Sequence, residues 1–251
     1  MMSPTLAQLF HLLTTLSMAA AVLAETGITT RYWDCCKPSC AWPGKAQVSE
    51  PVRTCNKNDK WPTPLNPNTQ SGCNGGDAYT CSNNGPWAVN DNLAYGFAAA
   101  KLAGKSEQNW CCACYKLTFT STSIAGKQMI VQVTNTGGDL GANHFDLAIP
   151  GGGVGMFPQG CQSQFDGAWM GDTYGGYRNR NDCNNLPAGQ FRDGCFFRFD
   201  WFQNAQNPTV EFQEVSCPQA MIDRSHCGRW SSRVLVDQSQ ERVSQQPVEE
   251  L

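Results

Sequence analysis

Apolar and polar residues alternate clearly in several stretches of the chain, and each such stretch predicts a strand. Residues 115–120 and 127–134 alternate with a turn near Ala125-Gly126 between them, and residues 210–215 alternate again. Residues 144–150 alternate over a shorter span and lie between glycine-rich loops that read as mobile. The run at 195–202, dense in Phe and Trp, is read as a further strand. Between 87 and 103 the period changes. Leu93, Phe97 and Ala100 fall at helical spacing, with Asn90 or Asp91 as an N-cap and Gly104 just past the end, which predicts one short helix. A second short helix is expected around Ala220-Met221-Ile222. From 38 to 86 there is little period, only turn signals such as Pro43-Gly44 and Asn74-Gly75-Gly76, and a polar loop is expected from 178 to 193. No internal repeat is present. The pattern describes one β-rich domain, residues 25–230, with irregular connections.

The ends differ from this domain. Residues 1–24 carry no Asp, Glu, Lys or Arg and finish with Val22 and Ala24 at small-residue positions. That is the form of a secretory signal cut before Glu25, too short and too interrupted for a bilayer span. Residues 231–251 are polar, without cysteine, and read as a disordered tail. All 14 cysteines follow the cut, and an even number in an exported chain predicts a disulfide framework rather than a metal site. The net charge of −3, with acids and bases interspersed, gives no basic face for nucleic acid or an anionic membrane. The expected product is a secreted, extracellular domain.

The available chemistry narrows quickly. There is no Gly-x-Ser-x-Gly elbow, and the disulfide framework leaves no free thiol nucleophile. His144 and His226 fall in no metalloprotease motif, and the glycine run at 151–155 lacks the Lys-Ser/Thr ending of a phosphate loop. No metal or other cofactor is expected. Carboxylates remain, and a carboxylate pair is the machinery of glycoside hydrolysis: one protonated acid for the leaving oxygen, one ionised base for water. Asp34 stands between Tyr32-Trp33 and the adjacent Cys35-Cys36, which are expected to bond to two distant parts of the chain and anchor it firmly. Asp146, between Phe145 and Leu147, has the apolar neighbours that raise a carboxyl pKa. Asp139 sits among glycines. From the residues alone, Asp146 is as well explained by a structural role as by a catalytic one.

Thr30-Arg31-Tyr32-Trp33-Asp34-Cys35-Cys36-Lys37-Pro38-Ser39-Cys40 resembles the signature of glycoside hydrolase family 45 endoglucanases. Trp110-Cys111-Cys112-Ala113-Cys114-Tyr115 and the stretch from Gly137 through Asp139, His144 and Asp146 to Leu147 are similar to the same family, as are Pro86-Trp87-Ala88-Val89-Asn90-Asp91 and Phe199-Asp200-Trp201-Phe202. The resemblance runs from about Thr29 to Cys227. It implies a mainly all-β fold, a six-stranded double-psi β-barrel with long disulfide-tied loops and a few short helices. It implies inverting hydrolysis of internal β-1,4-glucosidic bonds, with Asp34 as general base, Asp146 as general acid and Asp139 assisting from its loop. Thr30, Tyr32, Trp42 and His144 would bind the glucan. The implied bridges are Cys35–Cys161, Cys36–Cys73, Cys40–Cys111, Cys55–Cys81, Cys112–Cys227, Cys114–Cys217 and Cys183–Cys195. A monomer acting on cellulose or a related β-1,4-glucan, with no attached cellulose-binding module, is expected. The alternatives are a non-hydrolytic wall-loosening protein of the expansin type, which lacks a counterpart of Asp34, and a carbohydrate-binding module of the barwin kind, which is shorter.

Overall fold

The computed structural model describes residues 24–59 and 65–229. The signal-peptide reading, Ala24 apart, and the disordered-tail reading both fall outside the described residues. The chain enters on strand β1 (Glu25–Tyr32), followed after a long irregular stretch by β2 (Trp87–Ala88) and β3 (Leu93–Lys101). A one-turn helix α1 (Glu107–Trp110) precedes β4 (Cys114–Phe119), β5 (Gln128–Thr136) and β6 (His144–Ala148). Helices α2 (Pro158–Gln164) and α3 (Gln190–Asp200), strand β7 (Thr209–Val215) and helix α4 (Gln219–Ser225) complete the order.

Strands pair in the order β3-β5-β4-β7-β1-β6, and β6 returns to β3, so six strands close a double-psi barrel with no free edge among them. The short β2 lies against β3 outside the ring. Two pairings, β1 with β6 and β3 with β5, are parallel; the other four are antiparallel. Alternation decides which residues fill the ring. On β4, Tyr115, Leu117 and Phe119 are buried while Lys116 and Thr118 are half-buried on the other face. Tyr115, Phe145 and Phe212 meet at centroid separations of 5.0–6.1 Å in the barrel centre. Burying a ring of that size contributes about 2–3 kcal/mol.

All seven bridges form, and every cysteine has the partner the resemblance implied. In each adjacent pair one residue has positive φ, Cys35 at 64° and Cys112 at 62°, which turns neighbouring side chains toward different partners. The stretch from 38 to 86 is loop-dominated as expected, with only 3-10 turns and isolated bridges among its described residues. Cys36–Cys73 and Cys55–Cys81 tie it down.

Two expected elements are corrected. The helix predicted over 87–103 is instead the β2–β3 hairpin. Asn90, offered as an N-cap, accepts from the backbone N–H groups of Asn92 and Leu93 in the hairpin turn. Strand β3 is contacted by β2, β5 and β6, and its small residues let those neighbours approach: a Cβ at Gly96 would lie 2.5 Å from Met129 Cε. Tertiary pairing here outweighs the helical preference of alanine. The strand predicted over 195–202 is the second half of α3. Phe197 and Trp201, four residues apart, stack at 5.2 Å, a contact that helical spacing produces and a strand does not. The segment around 220–222 is helical, as expected.

Candidate active site

β1 and β6 run parallel with Thr30 opposite Asp146 and Ile28 opposite His144. Period-two alternation therefore puts Thr30 and Tyr32 of β1 on the same face as His144 and Asp146 of β6. The side chains meet there. Thr30 Oγ1 donates to Asp146 Oδ1 at 2.6 Å and lies 2.9 Å from His144 Nε2. Its single proton is used on the carboxylate, so the hydroxyl accepts from His144, which fixes the Nε2–H tautomer. Burial lowers the His144 pKa and keeps the ring neutral.

Burial also raises the Asp146 pKa to about 7, the Thr30 hydrogen bond opposing it and the charges of Asp139 and Asp34 adding to it. Asp34 follows β1 by two residues and is almost wholly buried, with Oδ1 accepting from the Cys36 N–H at 2.9 Å. Desolvation pushes its pKa up to about 6, against that hydrogen bond. The two residues that follow it are both anchored, by Cys35–Cys161 and Cys36–Cys73. Burial thus raises both carboxyls, and the charge of Asp34 adds to the rise at Asp146.

Thr30, Arg31, Tyr32, Asp139, Leu140, His144 and Asp146 line a cleft of about 240 Å³ together with Gly155, Thr173, Tyr174 and Asn207. Leu140 is buried and folds over Gly137, where a Cβ would meet its Cγ at 2.3 Å. Asp139 at the loop tip is exposed. Trp42 is not part of this cleft. It follows the 3-10 turn at Ser39–Ala41, half-buried, with the Lys37 ammonium 3.2 Å from its ring centroid. Lys37 is itself buried and donates to the carbonyls of Pro67 and Thr69. Among the described residues, one close group of potential metal ligands occurs, Cys55, Asp59 and Cys81, and its two sulfurs are joined as a disulfide.

The model of the family described as glycosyl hydrolase family 45 matches residues 26–228, which includes every residue of this site. The chain belongs to that family. It is 56% identical over 214 residues to a putative endoglucanase type K of Fusarium oxysporum, covering 84% of this chain and 56% of that protein, so it spans little more than half of that relative. It is 53% identical to an endoglucanase of Cryptopygus antarcticus, covering 85% of this chain and 93% of the relative. The solved structure of the cellulase from that Antarctic springtail superposes with a TM-score of 0.76 at 54% identity, covering 82% of this chain and 98% of the other.

Within this family 45 domain, several residues in or near the cleft escaped the sequence reading. Arg31 lies inside the recognised motif, yet its role as a half-buried cation beside Asp146 needs the fold. It donates to the Gly175 carbonyl and to Gln206 Oε1. Arg198, buried on α3, donates to the Gly151 carbonyl at 2.9 Å and so braces the glycine run behind the site. Thr173, Tyr174 and Asn207 carried no sequence signal. Asn135 carried none either, although its amide reaches Tyr32.

Proposed function

We propose that this family 45 chain is a secreted inverting endo-β-1,4-glucanase, with Asp146 as general acid and Asp34 as general base. What carries the reading is a pair of buried carboxyls whose pKa values are both raised, Asp146 in the cleft hydrogen-bonded to Thr30 and Asp34 held against the Cys36 N–H. Asp146, at about 7, holds its proton in the neutral range and gives it to the glycosidic oxygen as that bond to the anomeric carbon breaks. Thr30 occupies Oδ1, which leaves the other oxygen to carry the transferable proton. Asp34, ionised above about 6, takes a proton from the water that attacks the anomeric carbon from the opposite face. The new C–O bond forms on the side away from the leaving group, so configuration inverts.

The open cleft suits an internal segment of a β-1,4-glucan. Exposed Tyr174 offers a flat apolar face to a sugar ring, and Arg31, His144 and Asn207 offer polar contacts to hydroxyls. Asp139 lies where closing of its loop over a bound glucan would bring like charge toward Asp146 and help keep the acid protonated. Trp42, outside the cleft, fits a role as a distal sugar platform held flat by Lys37. The protein is read as a monomer.

The test is reducing-sugar release from soluble β-glucans by the purified chain, with Asp34→Asn and Asp146→Asn alongside. Both variants are expected to fold and to lose nearly all activity. Hydrolysis undiminished in either would remove that residue from its role, and no hydrolysis by the wild-type chain would favour a non-hydrolytic glucan-binding protein.

A further inference from the structure

The Tyr32 hydroxyl stands where both carboxylates act on it electrostatically, and burial holds the phenol well above its ordinary pKa, so it keeps its proton. Where that proton points is decided on β5. Asn135 Oδ1 accepts from the backbone N–H of Ser39 at 2.8 Å, and a backbone N–H can only donate. The other end of the amide must therefore be its NH₂ group, and this end lies 3.1 Å from the Tyr32 hydroxyl. Tyr32 accepts from Asn135, so its one proton cannot be spent there.

The Ser39 side is itself held. Ser39 Oγ donates to Thr136 Oγ1 at 3.1 Å, Thr136 donates to Glu107 Oε1 at 2.9 Å, and Glu107 pairs with Lys45. The indole of Trp110 donates to the same Thr136 hydroxyl. Reversing the amide would set its NH₂ against the Ser39 N–H, donor facing donor. The orientation is therefore locked through a chain of polar contacts that ends away from the cleft.

We propose that Asn135 is a positioning residue that presents the Tyr32 O–H as a fixed donor into the cleft, toward the oxygen atoms that react between Asp34 and Asp146. This rests on the glucanase reading above. A donor fixed there stabilises a sugar or water oxygen without reorganising during the reaction, which is what makes preorganised donors effective. Asn135 touches neither substrate nor carboxylate and acts only through the tyrosine.

Asn135→Asp is the sharp test. Aspartate still accepts from the Ser39 N–H, but its second oxygen can only accept, so the Tyr32 proton turns back toward β5 and leaves the cleft. Asn135→Ala merely frees the hydroxyl to rotate. On a soluble β-glucan the wild-type chain hydrolyses, each protein being assayed at its own pH optimum, N135D should lower kcat about tenfold or more, with KM changed much less. N135A should lose less than N135D. In a Tyr32→Phe background the further loss from N135D should be under about twofold, since the proton it redirects is already gone. The carboxylate's added charge would act in both backgrounds, so a loss of equal size with and without Tyr32 would overturn the proposal. So would wild-type kcat in N135D, or a greater loss in N135A than in N135D, the order expected of simple packing. If N135D fails to fold, a N135A loss that persists unchanged in the Y32F background overturns the proposal, and one that vanishes there supports it. A wild-type chain inactive on every β-glucan would instead overturn the glucanase reading on which the proposal stands.

Discussion

Asp34→Asn is expected to stabilise the protein while disabling it. Asp34 is 8% exposed, and burial raises its pKa from 3.8 to about 6. A difference of that size corresponds to roughly 3 kcal/mol at 1.36 kcal/mol per pKa unit. The sign follows from which state holds the proton longer. Below the unfolded value of 3.8 both states are protonated and the carboxyl costs nothing. As pH rises the unfolded chain ionises first, so stability falls until the pH passes about 6, where the folded carboxyl ionises too. Above that the native state carries a buried charge that the backbone N–H groups of Cys36 and Asp34 itself offset only in part. Asparagine keeps that acceptor and removes the charge, but buries an amide NH₂ at a cost of about 1 kcal/mol. The amide cost is the same at every pH, so the difference between two pH values isolates the charge. Guanidinium unfolding with disulfides intact, at pH 3 and pH 8, should show Asp34→Asn gaining about 3 kcal/mol more over wild type at pH 8 than at pH 3. A stability change equal at both pH values would refute burial as the cause of the raised pKa. A variant less stable at pH 8 would reverse it.

Two other substitutions probe the cleft. Asp139→Asn removes a like charge that raises the Asp146 pKa, so the basic limb of the kcat–pH profile, placed near 7 by Asp146, should move to lower pH and kcat at pH 7 should fall. Asp139 is exposed, so the melting temperature should stay within about 1–2 °C of wild type. Gly176→Ala should destabilise the fold by about 2 kcal/mol or more, read as a lowered Tm, because Gly176 has φ of 68° and a Cβ there would lie 2.0 Å from the Gly151 carbonyl oxygen. Wild-type stability in that variant would show that the glycine run behind the cleft has room to move.

Strands β4 and β7 were legible because their residues alternate between a buried face in the barrel and a more exposed one, and β5 and β6 were legible from their β-branched and aromatic residues. Strand β3 was not, because its burial is nearly continuous and its alanines favour helix locally. Only its three strand neighbours make it a strand. The aromatic half of α3 failed for the converse reason: Phe and Trp favour strands in isolation, while the stacking of Phe197 on Trp201 selects the helix. Asp34, Tyr32, His144 and Asp146 were visible as motif residues, and the parallel β1–β6 register explains why motifs more than a hundred residues apart form one site. Asn135 and Arg198 were invisible because their roles lie in partners from other elements, the Ser39 backbone and the Gly151 carbonyl. Such contacts leave no trace in local pattern.

In the proposed reaction Asp34 and Asp146 act from opposite faces of the scissile bond, one through water and the other on the leaving oxygen. Proton NMR of the anomeric region during the first minutes of hydrolysis of a soluble cello-oligosaccharide reads this directly. The α-anomer of the new reducing end is expected to appear first and then to mutarotate toward equilibrium. Initial appearance of the β-anomer would mean net retention and a covalent glycosyl intermediate, and would contradict that reaction.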